Sequence, residues 1–428
     1  MPTCCPASKA TCSLRNPNTS QARRPVPGTT SAQQERPRDG GYEQGKQQAR
    51  HPVPGAASAQ QERLRDGGYE QGKQQARRPV PGAASAQQER PRDGGYEREQ
   101  RAPLLWLAGL AFAVLLLALF VGRYPAPYLT PPGLLWRDPL ARRLVLHLRL
   151  PRVLAAALLG MTLSAGGLVM QMLFRNPLVE PGFLGVSQGA AFGAALSIVL
   201  GAGSLWGMQL SAALFGCLGL AFSYALARHI RYGGWTLRLI LAGIAVSALF
   251  SSGVGLLKYV ADPLTQLPDI VFWMLGALWG VTWRDVAMIA PVTLTALTLT
   301  LLLRWRLNLL SLDERTAFSL GAAPARERLA LLVAVVAATA SVVAISGVVG
   351  WVGLIVPHLA RRILGADARH ALPGALLLGA TFTVICDTVA RAALPGEIPL
   401  GILTSMVGAL LFSVLMVSPR QAAWERAA

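Results

Sequence analysis

From residue 102 onward the chain alternates apolar runs of about twenty residues with short polar connections. The runs fall at roughly 104–122, 152–172, 184–201, 207–228, 238–258, 285–304, 326–346, 352–364, 371–391 and 399–417. At 1.5 Å of rise per residue, most of them match the thickness of a bilayer core. The pattern predicts an all-α polytopic membrane protein with about ten transmembrane helices, occupying residues 102–420. Glycine and alanine recur within the runs, as in Ser164–Gly167 and Gly374–Ala380, which suits close helix packing where lipid supplies no hydrophobic drive.

The longest polar interruption is Leu307–Arg328, LNLLSLDERTAFSLGAAPARER. Ser311 followed by Glu314 has the spacing of a capping box, in which hydroxyl and carboxylate satisfy each other's first-turn amides. It predicts a helix starting at Leu312. Gly321 ends that helix by taking a left-handed conformation, and Pro324 opens the next one. In the resulting Leu312–Leu320 helix, Leu312, Ala317 and Leu320 share one side and Asp313, Glu314 and Arg315 fill the first turn, so it fits a groove with its charges showing. An ordinary polar connection and a groove for a partner protein are both open on these residues alone.

Two more breaks stand out. Arg175, Asn176, Pro177, Glu180 and Pro181 lie in RNPLVEPGFLG, which forces a turn after the second run. It reads either as a plain tight turn or as part of a docking groove beside the short helix. Asp262, Pro263, Pro268 and Asp269 interrupt the chain before VFWMLGALWGVTW. The tryptophans Trp273, Trp279 and Trp283 suit a membrane interface, and a short helix at the outer mouth is expected there.

Residues 1–101 are of another kind. QARRPVPG at Gln21 and Gln75, with QARHPVPG at Gln48 between them, recurs with a period of 27 residues, each copy leading to RDGGYE. Each unit offers little apolar surface for stacking on the next, so this basic extension is expected to be disordered rather than a solenoid. A tether or a basic arm near anionic lipid is one reading. A duplication of coding DNA, or a start site placed too far upstream, is the other.

With 52% hydrophobic and 14% charged residues the chain is too apolar for an ordinary soluble domain. Its net charge of +18 could suggest nucleic acid, but in a membrane protein arginine records which loops stay in the cytoplasm. With a cytoplasmic amino terminus, sixteen arginines between Arg98 and Arg426 lie inside, and Lys258, Arg284 and Arg391 lie outside. Both termini are then cytoplasmic, as is Leu307–Arg328. The first outer loop breaks the rule with Arg123, Arg137, Arg142, Arg143, Arg149 and Arg152. A rim of cations there either steers an acidic partner or anchors at headgroups.

Candidate chemistry is sparse. The five cysteines show no metal-ligand spacing. His358 has no neighbouring ligand and reads as structural. Asp387 lies within an apolar run, but Arg391 one turn later makes an i,i+4 ion pair the simple account. No G-x-x-x-x-G-K-[ST] sequence occurs, so the chain does not itself hydrolyse ATP.

LRLPR at Leu148–Arg152, the stretch Gly160–Ala190, GVVGWVGLIVPHLAR at Gly347–Arg361 and GATFTVICDTVAR at Gly379–Arg391 with GEIPLG following resemble the permease subunits of the ABC importers for iron siderophores, haem and cobalamin. The resemblance covers about 104–418. It implies a type II importer permease that pairs with a second permease copy or paralogue in the inner membrane. Two cytoplasmic ATPase subunits would carry ATP and magnesium, with no cofactor in this chain, and a periplasmic or lipid-anchored binding protein would deliver substrate. It also implies that Ser311–Gly321 is the coupling helix docking on the ATPase, and that Arg149, Arg152 and Arg391 meet acidic residues of the binding protein. The expected substrate is a ferric siderophore or similar iron complex, with haem, cobalamin or an oxyanion as alternatives. A secondary transporter independent of ATPases is the competing class; the absence of a membrane acid cluster argues against it.

Overall fold

A computed structural model describes residues 93–417 apart from 123, 125–128, 202–203 and 395, with side chains from 102 onward. The repeats of the extension, and Arg420 and Arg426, lie outside the described residues.

All ten expected runs are helices, with ends within a few residues of those read from the sequence apart from the start of the first. They are α1 (Asp93–Phe120), α4 (Leu150–Phe174), α5 (Val186–Val199), α6 (Leu205–His229), α7 (Trp235–Val260), α9 (Trp283–Leu302), α12 (Pro324–Ser346), α13 (Val352–Leu364), α14 (Ala368–Ala392) and α15 (Leu400–Val417). Shorter helices connect them: α2 (Leu134–Arg137) and α3 (Pro139–Arg143), which a π-helical turn joins to α4, then α8 (Gln266–Met274), α10 (Arg304–Leu310) and α11 (Glu314–Ser319). α8 is the short helix expected beside the tryptophans.

α4 is the centre of the bundle. It is buried along nearly its whole length and packs against α9, α12, α13 and α14. It runs from Arg149, at what we term the upper end, to Arg175 at the lower end. α1 lies at the periphery against α14.

Among the described residues eight helices are long and apolar enough to cross a membrane, counting the α3–α4 helix as one; α5 and α13 have 14 and 13 residues and are shorter. Their starting depth explains this. After α4 ends, the chain turns back into the bundle, where Pro181 lies against Gly166 and Gly353, about two helical turns above Phe174. α5 starts from that depth and takes the upper half, with Gly185 before it resting on Gly219. α13 starts at the same level, Gly353 meeting α4 at Leu163 and Gly167, and takes the lower half.

This relocates part of the expected surface turn. Arg175, Asn176 and Pro177 form it: Arg175 is left-handed, with φ 49°, and Asn176 Oδ1 accepts from Leu178 N at 2.9 Å. Glu180 and Pro181 do not belong to it. Pro181 is buried and Glu180, partly exposed, lines an open cavity of about 820 Å³ with Trp351 and Phe412. The two prolines are therefore separated by a re-entrant segment rather than joined in one tight turn.

Candidate functional site

The lower end carries a short projecting helix fixed on both sides. Leu307 and Leu310 of α10 are fully buried in the lower core with Leu173, Phe174 and Leu331, and Ala317 of α11 joins them. Asn308 ties α10 to the start of α14, donating to Asp367 Oδ1 at 2.7 Å and accepting from Ala368 N at 3.0 Å. Arg328, itself buried, donates to Leu310 O at 3.1 Å and lies over the Trp235 ring. Arg306 pairs with Glu327, whose carboxylate also accepts from Ala323 N at 3.1 Å.

The cap is not the one expected. Ser311 closes α10 instead, donating to Asn308 O at 2.7 Å, and the N-cap of α11 is Asp313, which accepts from Thr316 N at 3.1 Å and Thr316 Oγ1 at 2.7 Å. A capping box needs the serine in extended backbone, and Ser311 is still helical as the last residue of the preceding turn. The helix therefore begins at Glu314, two residues later than expected. Gly321, at φ 83°, and Pro324, opening α12, take the expected places.

Only Ala317 of the expected apolar side faces inward; Leu312 is 39% and Leu320 56% exposed. Phe318, at 73%, is more exposed than either. With Glu314, Arg315, Ala323, Pro324 and Arg326 it lines a groove of about 450 Å³ between α11 and the start of α12. Hydrophobic periodicity does not mark Phe318. An aromatic residue among the polar residues of a short helix was the signal available.

The Thr316 hydroxyl and amide hold the Asp313 carboxyl below its ordinary value of 3.8, and Arg175 pulls weakly the same way. Arg175 of the surface turn is thus within charge reach of α11. Because the folded value is lowered, the cap contributes stability above pH 3.8 and loses it as pH falls through the folded value. Hydrogen exchange at the Thr316 amide should stay flat, after correction for intrinsic rates, from neutral pH down to about pH 5. It should accelerate only below the ordinary carboxyl value; acceleration near pH 6 would rule out the cap as its cause.

At the upper end the three arginines expected on the docking rim are tied into this chain. Arg152 Nε donates to both Asp387 oxygens, at 3.0 and 3.1 Å, Nη2 lies 2.9 Å from Oδ1, and Nη1 reaches Glu397 Oε2 at 2.8 Å. Arg391 donates to Ala118 O, and its Nε is 4.0 Å from Asp387 Oδ2. Arg149 donates to Leu119 O at 3.1 Å and Thr130 Oγ1 at 2.9 Å. The main partner of Asp387 is therefore Arg152 across the bundle rather than Arg391 on the same helix. An α-helix sets a residue and its fourth neighbour side by side, whereas Arg152 reaches the carboxylate head-on from α4 with a fork of donors. Of these arginines, Arg152, paired with the 39%-exposed Glu397 side chain, is the one whose ion pair reaches the surface.

Comparison with known proteins places the chain in a family. The chain is 41% identical over 309 residues to the molybdate import system permease protein MolB of Haemophilus influenzae, covering 70% of this chain and 90% of that protein. It is 40% identical over 280 residues to the hemin transport system permease protein HmuU of Yersinia pestis, covering 64% and 84%. A solved structure described as an inward-facing conformation of an ABC transporter assigned to the metal-chelate type superposes with a TM-score of 0.69 at 40% identity, over 74% of this chain and 99% of that one. The sequence profile of the FecCD transport family matches residues 110–418, and on that match this multi-pass membrane protein belongs to the FecCD transport family, as an ABC importer permease rather than a catalyst.

Proposed function

We propose that the chain imports a metal complex, a ferric siderophore or similar iron chelate, working as a pair of permeases with two ATPase subunits at the lower end and a binding protein at the upper end. ATP and magnesium belong to the ATPases. The lower end is cytoplasmic in this reading, in keeping with the excess of arginine there. Closure of the ATPases on ATP moves α11 in each permease, and the path between the permeases opens alternately to either side. The upper contact falls to Arg152 and Glu397, with Arg149 and Arg391 shaping the rim beneath.

The observation that carries this reading is the geometry of α11. Its backbone is anchored by Ala317 and the Asp313 cap, while Phe318, Glu314 and Arg315 line a groove and Leu320 is exposed. An exposed aromatic beside a groove and rimmed by charge is the composition of an interface anchor. In purified transporter, Phe318→Asp should weaken retention of the ATPase by about 30-fold or more while leaving the permease folded. Retention unchanged in Phe318→Asp combined with Leu320→Asp would refute the assignment.

The substrate reading leans on the metal-chelate and hemin relatives. An oxyanion is the second reading, favoured by the similarity to a molybdate permease. Uptake into proteoliposomes loaded with ATP, competing ferric siderophore against molybdate, decides between them.

A further inference from the structure

The outer segment before α4 holds charge that the transport reading does not use. Arg137, Arg142, Arg143 and His147 line a cavity of about 410 Å³ whose lining contains no carboxylate. None of the four side chains makes a hydrogen bond or ion pair among the described residues. The adjacent acid, Asp138, is already engaged: Tyr124 Oη donates to it at 2.8 Å and Leu140 N at 2.9 Å. The segment is held in place, since Trp283 Nε1 donates to Leu146 O at 2.9 Å. Three guanidinium groups on a fixed backbone, with no carboxylate in the lining they share, form a preorganised anion site.

Depth identifies the anion. Pro139–Phe174 is one apolar helix of 36 residues, about 54 Å long, and Arg142 and Arg143 stand about 47 Å above its lower end. A bilayer with its headgroups is about 40–45 Å thick, so a modest tilt puts both arginines at the upper headgroup layer. Trp136 is 92% exposed and Leu140 half exposed on the same segment. An indole and an alkyl chain left in water would be a liability, whereas the headgroup boundary is where tryptophan gathers.

We propose that Arg137, Arg142 and Arg143 bind the phosphate of an anionic phospholipid headgroup in the upper leaflet, with Trp136 and Leu140 at the headgroup boundary.

The test uses delipidated full-length permease in detergent, with phosphatidylglycerol, phosphatidylcholine and inorganic phosphate as separate probes. Native mass spectrometry should show phosphatidylglycerol retained in preference to phosphatidylcholine, with a rise in melting temperature that inorganic phosphate does not reproduce. Arg137→Gln/Arg142→Gln/Arg143→Gln should lose about 100-fold in phosphatidylglycerol affinity, and the triple Arg→Lys variant should keep most of it. Equal retention of the two lipids by the unaltered protein overturns the proposal, a result that needs no variant to fold. So does an unchanged affinity in the Gln variant. An equal response to inorganic phosphate would make this a free oxyanion site, and loss of binding-protein capture without loss of lipid would make it a protein contact; either outcome overturns the lipid assignment.

Discussion

Arg152→Ala should destabilise the permease by about 3–5 kcal/mol, the cost of leaving a buried charge without its partner. The Asp387 side chain is 1% exposed and that of Arg152 12%. With Arg152 gone, Asp387 keeps among the described residues Arg391, at 4.0 Å on the next turn of its own helix and turned toward Ala118 O. Arg152→Lys restores a charge but not the fork that reaches Asp387 and Glu397 together, and should recover part of the loss. The double variant Arg152→Met/Asp387→Leu removes both charges and should be more stable than Arg152→Ala alone. Thermal unfolding in one detergent reads all three. If Arg152→Ala melts like the unaltered protein, the pair does not hold α4 to α14, and Arg152 is free for docking alone.

Gly167→Val should be nearly as damaging, by about 1–3 kcal/mol or more, for reasons of shape rather than charge. A Cβ at Gly167 would overlap the carbonyl of Gly353 on α13, and backbone cannot step aside as a flexible side chain can. Gly160 meets Gly379 of α14 in the same way. With no hydrophobic drive between helices in lipid, this close approach is much of what joins α4 to its neighbours. Gly109 and Gly255 have nothing within 4 Å of an added Cβ. Replacing those two with alanine should be neutral or stabilise by about 0.5–1 kcal/mol, since glycine is a poor helix former. The contrast between two pairs of helical glycines, read as melting temperature and recovery of monodisperse protein, separates packing from propensity.

Much of this molecule could be read from the chain. The ten helices, the connection at Leu307–Arg328, the end of α11 at Gly321, the entry to α12 at Pro324 and the short helix beside Trp273 each depend on hydropathy or turn chemistry within a few residues. The capping error was also local: Ser311 and Asp313 both suit an N-cap, and what separates them is that α10 extends as far as Leu310, held by the burial of Leu307 and Leu310. Phe318 was missed because periodicity marks an apolar residue as inward-facing or incidental, and its exposure depends on Ala317 taking the buried position beside it.

By itself, then, the sequence determined the class of molecule, its element order and the family to which it belongs, because hydrophobic length and turn residues act over short stretches of chain. Only the tertiary structure decided which arginines are free and which are bound. Arg152 finds Asp387 across 235 positions of sequence, whereas the Arg142 side chain finds no partner among the described residues, a difference in surroundings that the sequence does not reveal. The starting depths of α5 and α13 were decided there too. Pro181 goes inside because a glycine on α4 and another on α13 leave room for it, and that room exists only once the helices have packed.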